Sequence, residues 1–397
     1  MKKDKKLSTV STFNGIGAFS EGAKLLGFGT NKRIICEYDP KTNKTYYQNN
    51  TRFKVNKHVN DIRDLVIKIK ENYKTDLLIQ TPPCQSFSMA GKRLGLDSEN
   101  GNLFLTAIEL QKKIDADVVL YENVKGLCSH EKYEYTYFDQ DGNEVILRQK
   151  LKKNELKKLK LKFDFVYIDL YGSEIILEEK LKKKKLKELN FTLVEDNEKE
   201  DSFKPLIKSN YKNTIGLTLH TIEKLLLEDD RYDYQWQVIN STDVGLPQRR
   251  ERIFIVGIKK EINKGFKFPT PKEDIDFTVA DIMEDEVDES YYYNIKDEYE
   301  FVPKEQGRKI KEIHTAGRIK GVKFDQDARI TWAYVAPTAT TGNNMKFLLN
   351  DGRIRHLIGD ELKAIHGFRK GFILGEGKPN KIERWVILYL PQFIKKF

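Results

Sequence analysis

The chain has 397 residues, 70 basic against 60 acidic, a net charge of +10, and three cysteines. No apolar run approaches membrane-spanning length, and no signal-type stretch follows Met1-Lys2-Lys3-Asp4-Lys5-Lys6. Cys36, Cys84 and Cys128 have neither metal-ligand spacing nor a disulfide framework, which leaves a soluble chain in a reducing cytoplasm, long enough for two domains, with no metal and no membrane partner. The positive balance favours a polyanionic partner but does not define one.

Residues 6–12 read as a first strand, which runs into Phe13-Asn14-Gly15-Ile16-Gly17 and then a helix over about 19–26. A glycine-rich turn that opens a helix lets a ligand approach the backbone. Residues 33–36 form a second strand, and Glu37 stands at its end, twenty positions after Gly17, where a carboxylate can accept from both ribose hydroxyls. Tyr38 can stack on a purine. Residues 55–62 read as a third strand; Asp61 either accepts from an adenine amino group or caps the helix that follows. The apolar run 76–79 is a buried parallel strand stopped by Pro82 and Pro83, so Cys84 sits on a stiff loop just past a strand end. A thiol there is a nucleophile, or a small buried residue. Residues 103–113 look helical, and 117–121 form a fifth strand leading into Glu122, which either faces the strand-end crevice or is a solvated edge residue.

Residues 131–213 break this rhythm with an internal repeat at an offset of 30: Gly142 matches Gly172, Glu144 matches Glu174, and Lys150-Leu151-Lys152-Lys153 matches Lys180-Leu181-Lys182-Lys183. Each copy reads as a hairpin followed by a Lys-rich helix whose leucines, such as Leu151, Leu156 and Leu159, turn inward. The insertion is either a basic arm on a nucleic-acid backbone or a solvated surface loop. Two further strands, 236–240 and 252–258, flank Gln248-Arg249-Arg250-Glu251-Arg252. Arg250 and Arg252 alternate onto one face, suited to phosphate or a carbonyl oxygen, or else protect an edge strand with charge. From about 263 the alternation is lost and aromatic residues are frequent.

Phe13-Asn14-Gly15-Ile16-Gly17, Pro82-Pro83-Cys84-Gln85, Glu122-Asn123-Val124 and Gln248-Arg249-Arg250-Glu251-Arg252, in that order, resemble the C5-cytosine DNA methyltransferase family of bacterial restriction–modification type. His356-Leu357 and Glu361-Leu362-Lys363-Ala364-Ile365-His366-Gly367-Phe368 resemble a later motif of that family. The resemblance implies an α/β fold: a Rossmann-like S-adenosylmethionine-dependent methyltransferase domain over 1–262, with the insertion at 131–213, and a smaller, irregular target-recognition domain over 263–373. Residues 374–397 would pack back on the catalytic domain. It implies S-adenosyl-L-methionine held by Phe13, Gly15, Gly17, Glu37, Tyr38, Asp61, Ile62 and Pro82. It makes Cys84, Glu122, Arg250 and Arg252 catalytic, and sets Gln85, Ser86, Gln248 and Thr338 against double-stranded DNA whose target cytosine is flipped out. The same resemblance implies a monomer in the cytoplasm, with its restriction endonuclease a separate protein. The alternatives are a tRNA cytosine-5 methyltransferase and a catalytically impaired DNA-binding relative.

The second alternative rests on the C-terminus. The family's closing Gly-Asn-(Ser or Ala) motif is missing, and the chain reads Arg384-Trp385-Val386-Ile387-Leu388-Tyr389-Leu390 instead. One codon choice for that run, after an A, encodes Met-Gly-Asn-Ser-Ile-Phe in a neighbouring frame, so the ending is either the product of a frameshift near Arg384 or a divergent but adequate apolar C-terminus. A nucleotide sequence with no Gly-Asn-Ser in either other frame would remove the frameshift.

Overall fold

The computed structural model describes residues 6–25, 28–50, 55–84, 87, 96, 99–141, 143–147, 153–162, 165–168, 174–177, 180–189, 192–195, 198–200, 202–293, 301–303, 313, 315–319, 329–339 and 345–373. The described residues fall into two compact units, one drawn from Met1–Pro83, Leu103–Asn123 and Asp230–Phe397, the other from Cys84–Asn102 and Val124–Asp229.

In chain order, β1 (Lys6–Thr12), α1 (Ala18–Leu25), β2 (Gly29–Cys36), α2 (Pro40–Asn49), β3 (Lys57–Val59), α3 (Ile62–Lys68), β4 (Tyr73–Gln80), α4 (Glu99–Lys113) and β5 (Ile114–Val124) alternate strand and helix. The repeat supplies β6 (Tyr133–Phe138), β7 (Glu144–Leu147), α5 (Lys153–Leu159), β8 (Phe165–Ile168), β9 (Glu174–Leu177) and α6 (Lys183–Leu189). Then come β10 (Thr192–Glu195), β11 (Glu198–Glu200), β12 (Lys208–Ser209) and α7 (Leu217–Leu227). The chain continues with β13 (Tyr232–Asn240), β14 (Glu251–Lys259), β15 (Phe301–Pro303), β16 (Thr315–Ile319), β17 (Arg329–Trp332), β18 (Lys346–Leu348), β19 (Ile354–Arg355) and α8 (Gly359–Ile365).

In the first unit the strands lie side by side as β13-β14-β5-β4-β1-β2-β3. β1 pairs in parallel with β2 and β4, and β4 with β5, while β13 and β14 are antiparallel. Parallel strands covered on both faces need continuous apolar runs, and Val10, Ile35, Leu78 and Val119 are fully buried. β14 lies between β13 and β5, so Arg250 and Arg252 do not guard a free edge. The expected strand over 55–62 shrinks to β3 because Asp61 accepts from Arg63 N at 2.8 Å and caps α3, which takes Ile62 into a helix.

The strands β15-β16-β17-β18-β19 form their own sheet. Ile16 and Ala18 share a hydrophobic cluster with Val279, Ala336, Phe347, Leu357, Leu362, Ile365, Phe368 and Phe372, so the later chain builds its core around the start of α1. Asn49 exchanges two hydrogen bonds of 2.7 Å with the backbone of Ile373. Residues 374–397, which include the atypical C-terminal run, lie outside the described residues.

In the second unit, β7 and β9, and α5 and α6, recur at the 30-residue offset read from the sequence. Two three-stranded sheets result, β11-β6-β7 and β10-β8-β9. Tyr135, Tyr137, Phe165 and Tyr167 form one shared core, and Leu156, Leu181 and Leu186 pack against it. Leu159 is an exception to the inward pattern: it is 54% exposed and its repeat partner Leu189 is 40% exposed, because both sit at the last residue of their helices. Among the described residues, no helix is long and apolar enough to cross a membrane.

Candidate active site

The turn after β1 is held in a left-handed backbone. Phe13, Gly15 and Gly17 have φ of 53°, 55° and 91°, a region that costs a residue bearing a Cβ roughly 1 kcal/mol or more. A Cβ on Gly17 would meet the Tyr46 ring at 2.6 Å, so that glycine serves packing. A Cβ on Gly15 would find its nearest neighbour, Phe13 O, at 4.0 Å, so the space beside Gly15 is open. Thr81 Oγ1 donates to Phe13 O at 2.9 Å, tying this turn to the end of β4.

Glu37 follows β2 and is buried. Its Oε2 accepts from Gly15 N at 2.8 Å and its Oε1 from Asp39 N at 3.0 Å, so the carboxylate bridges the glycine turn and the entrance to α2. Tyr38 beside it is 76% exposed. Asn14 Oδ1 accepts from Ser11 Oγ at 3.0 Å, while the buried Asn14 Nδ2 has no hydrogen-bond partner among the described residues. An open backbone turn, a buried amide donor to spare, a fixed carboxylate and an exposed aromatic ring fit a nucleoside-type cofactor. Asp61 is engaged locally: both its oxygens hold Arg63, which keeps its carboxyl below the usual range. Ile62 is buried in the first turn of α3 and Pro82 is buried past β4.

Glu122 is the third residue from the end of β5, inside the strand rather than beyond it. Arg252 Nε approaches Glu122 Oε1 at 3.2 Å, with 13% and 10% of the two side chains exposed. Burial pushes the Glu122 carboxyl above its ordinary value, against the pull of Arg252 and then Arg250. Arg252 is aimed by donating from Nη1 to Glu251 O at 2.7 Å, and Arg250 by donating from Nη1 to Ala339 O at 3.3 Å. Asn123 Nδ2 donates to Pro82 O at 3.2 Å and links the ends of β5 and β4.

Gln248 was expected at the DNA. It is fully buried, with Nε2 3.5 Å from His366 Nε2, and so supports the arginine loop from inside. His366 Nδ1 donates to Leu362 O at 2.7 Å, which leaves Nε2 as the acceptor facing Gln248. Burial and Arg250 hold the His366 imidazole down at about 3, so it stays neutral. Thr338 Oγ1 donates to Arg249 O at 2.7 Å, fastening residues 336–339 along the same loop.

Cys84 opens the second unit and is partly exposed, whereas Cys36 and Cys128 are buried. Burial, with Glu37 adding to it, pushes the Cys36 thiol up to about 12, which disqualifies it as a nucleophile. Cys84 O accepts from Phe87 N at 3.0 Å, and the Phe87 ring is buried. Gln85 and Ser86 lie outside the described residues. Sequence reading gave no role to Asn14, Thr81, Asn123 or His366. The first three are polar residues inside the strand-end motifs and were legible as candidates there; His366 has no spacing signal, because its partner is 118 positions away.

The fold and the strand-end residues are those of an α/β enzyme with a nucleoside-type cofactor, and the same sheet carries a buried acid–guanidinium pair. The pattern of the C-5 cytosine-specific DNA methylase family matches residues 7–140 and 204–385, and the chain belongs to that family. It is an S-adenosylmethionine-dependent DNA cytosine-C5 methyltransferase of Rossmann-like fold. It is 25% identical over 382 residues to the Type II methyltransferase M.Bsp6I of Bacillus sp. (strain RFL6), covering 95% of this chain and 92% of that one. It is 25% identical over 380 residues to the Type II methyltransferase M1.ScrFI of Lactococcus lactis subsp. cremoris, covering 94% and 72%. A crystal structure of the S. pombe Dnmt2 methyltransferase matches with a TM-score of 0.48 at 12% identity, over 93% of this chain and 88% of that one.

Proposed function

We propose that the chain methylates C5 of a cytosine flipped out of a specific duplex DNA sequence, through a covalent bond from Cys84 to C6, in a restriction–modification system. The buried Glu122–Arg252 pair carries the reading. Cytosine C5 is a poor nucleophile until a thiolate adds at C6 and opens the C5–C6 double bond. That addition drives charge toward N3 and O2. Glu122, kept protonated to higher pH by burial, holds a proton at N3, and Arg252, supported by Arg250, stabilises O2. S-adenosylmethionine, when bound, supplies an electrophilic methyl group. Loss of the C5 proton then restores the ring double bond and releases Cys84.

Phe13, Gly15, Gly17, Glu37, Tyr38 and Pro82 hold the cofactor in this reading, Glu37 by its carboxylate and Tyr38 by its exposed ring. Asp61 and Ile62 shape the same wall from the start of α3. Residues 263–373 serve as the target-recognition domain, with Thr338 near the base and Gln85 and Ser86 on the DNA side of Cys84. Its relatives are named Type II methyltransferases, which supports a role in a restriction–modification system and hence a cognate endonuclease as a separate protein. The enzyme works as a monomer in the cytoplasm, where its DNA is.

The test is incubation with labelled S-adenosylmethionine and either duplex DNA or tRNA. Label in DNA is expected; label in tRNA alone would overturn the substrate, and label in neither would favour an impaired DNA-binding relative. The Cys84→Ala variant should lose transfer and keep cofactor binding, and retained transfer would remove Cys84 from its role. Bisulfite sequencing then reads the target, and sedimentation the oligomeric state.

A further inference from the structure

The repeat is not part of the methylase pattern, which passes over residues 141–203. Its charge is concentrated. Segments 150–162 and 180–189 carry thirteen lysines and two glutamates, an excess of eleven in a chain whose net charge is +10. Without those two segments the remaining residues would hold 57 basic and 58 acidic side chains. The excess of basic over acidic residues in this protein is therefore carried by these two segments of the repeat.

The signs are also sorted within the module. In sequence, the hairpins carry Asp139, Asp141, Glu144, Asp169 and Glu174, and the closing strands carry Glu195, Glu198 and Glu200 against one lysine, Lys199. The arms carry the lysines, of which Lys157, Lys158, Lys182, Lys184 and Lys187 are exposed. Leu156 and Leu186 anchor both arms to the one aromatic core, so the helices are fixed by packing rather than loosely solvated. Lys157 and Lys187 occupy equivalent positions, 30 residues apart, in the last turns of α5 and α6. An ordinary solvated surface interleaves both signs, because like charges on one face repel. Two helices anchored to one core, each carrying exposed lysine in its last turn, match a polyanion with a phosphate about every 1.7 Å along the duplex axis.

We propose that the ββα repeat is an accessory DNA-binding module, whose lysine arms bind the phosphate backbone of the duplex that carries the target. It supplies affinity and not sequence, since lysine-to-phosphate contacts position a protein without reading bases. This rests on the reading of the enzyme as a duplex-DNA methyltransferase, and the experiment separates the two.

The full-length chain is compared with a quadruple variant, Lys157→Gln, Lys158→Gln, Lys184→Gln and Lys187→Gln. Equilibrium binding to a non-specific duplex of about 40 base pairs is measured across a salt series, a range in which each phosphate contact contributes about 0.9 to the slope of log K against log salt. The variant should lose about 3 to 4 from that slope. In methyl transfer its KM for DNA should rise at least about tenfold, with kcat at saturating DNA within about twofold and the target sequence unchanged. The corresponding Lys→Arg variant keeps the charge and should bind as the original chain does. An unchanged slope and KM would overturn the proposal. So would a Lys→Arg variant as weak as the Gln one, or lysine substitutions that weaken binding to tRNA or phosphatidylserine vesicles while leaving DNA untouched. If the original chain transfers no methyl to DNA, the catalytic reading fails, and the binding series still decides the role of the repeat. If the quadruple variant loses its circular dichroism spectrum, Lys184→Gln with Lys187→Gln alone should take about 1.8 from the slope, half of the loss expected for four lysines.

Discussion

Glu122 carries two opposing influences in one side chain. Burial raises its pKa, and Arg252 and Arg250 oppose that rise. If its protonated form holds N3, kcat declines as pH rises through the raised pKa. Glu122→Gln should lower kcat by about 100-fold or more and lose that alkaline limb, which a pH profile of kcat reads directly. His366 titrates in the other direction. Its native pKa of about 3 lies below the unfolded value of about 6.5, so the unfolded chain takes up a proton that the native chain refuses. Its contribution to stability is full above about 6.5 and is lost as pH falls toward 3, by up to about 1.4 kcal/mol per pH unit. Urea titrations at pH 7 and pH 5 should differ less for His366→Asn than for the original chain. The His366 effect was not legible in the sequence. The residue types at Glu122 and Arg252 announced chemistry, but burial of His366 and Gln248 depends on partners more than a hundred positions distant.

At the scale of elements, the turn between β1 and α1 separates packing from binding in two neighbouring glycines. Gly17→Ala has no room against Tyr46 and a φ of 91°, and should lower stability by about 2 kcal/mol or more. Gly15→Ala has room in the protein and should cost only about 1 kcal/mol, yet fill the space that the cofactor needs. Thermal melts paired with calorimetric titration of S-adenosylmethionine should show a large Tm loss for the first, and for the second a small Tm loss with a Kd raised at least about tenfold. The sequence read this turn well because a strand, two spaced glycines and a helix are local signals, and β1 spans the residues expected of it. It read residues 55–62 less well. They read as a strand to Ile62, but of the two roles open to Asp61 the helix cap holds, which hands Ile62 to α3, and β3 keeps only three residues. The 30-residue repeat was legible because duplication leaves a mark that needs no partner to detect. Its pairing into two sheets through β10 and β11 was not, since those strands are short and charged.

For the whole molecule, the division into two compact units separates the residues proposed to hold the cofactor from the repeat core. A ligand that binds the native state stabilises what it touches, by about 2.7 kcal/mol at a hundredfold excess over Kd. Saturating S-adenosylmethionine should therefore slow amide exchange in residues 10–20 and 34–39 and leave exchange at Tyr135, Tyr137, Phe165 and Tyr167 unchanged. Hydrogen–deuterium exchange with peptide resolution checks this, and equal protection in both units would show them to be one cooperative body. The partition itself was only half legible. Composition marked the insertion, but nothing local announced that Ile16 and Ala18 share a core with Val279 and Phe372.

The strand topology of the repeat also has a genetic consequence. Tandem duplications in a gene expand and contract readily by replication slippage. Here β11 completes the sheet of the first copy and β10 that of the second, so one downstream segment closes both. A gene that loses one thirty-residue copy leaves a strand with nothing to pair, and a gene that gains one makes a hairpin with no closing strand. Copy number is thus held at two by protein architecture, although the DNA invites drift. An in-frame deletion of residues 148–177 should yield aggregated protein, measurable as loss from the soluble fraction, whereas conservative substitutions throughout the same stretch should not.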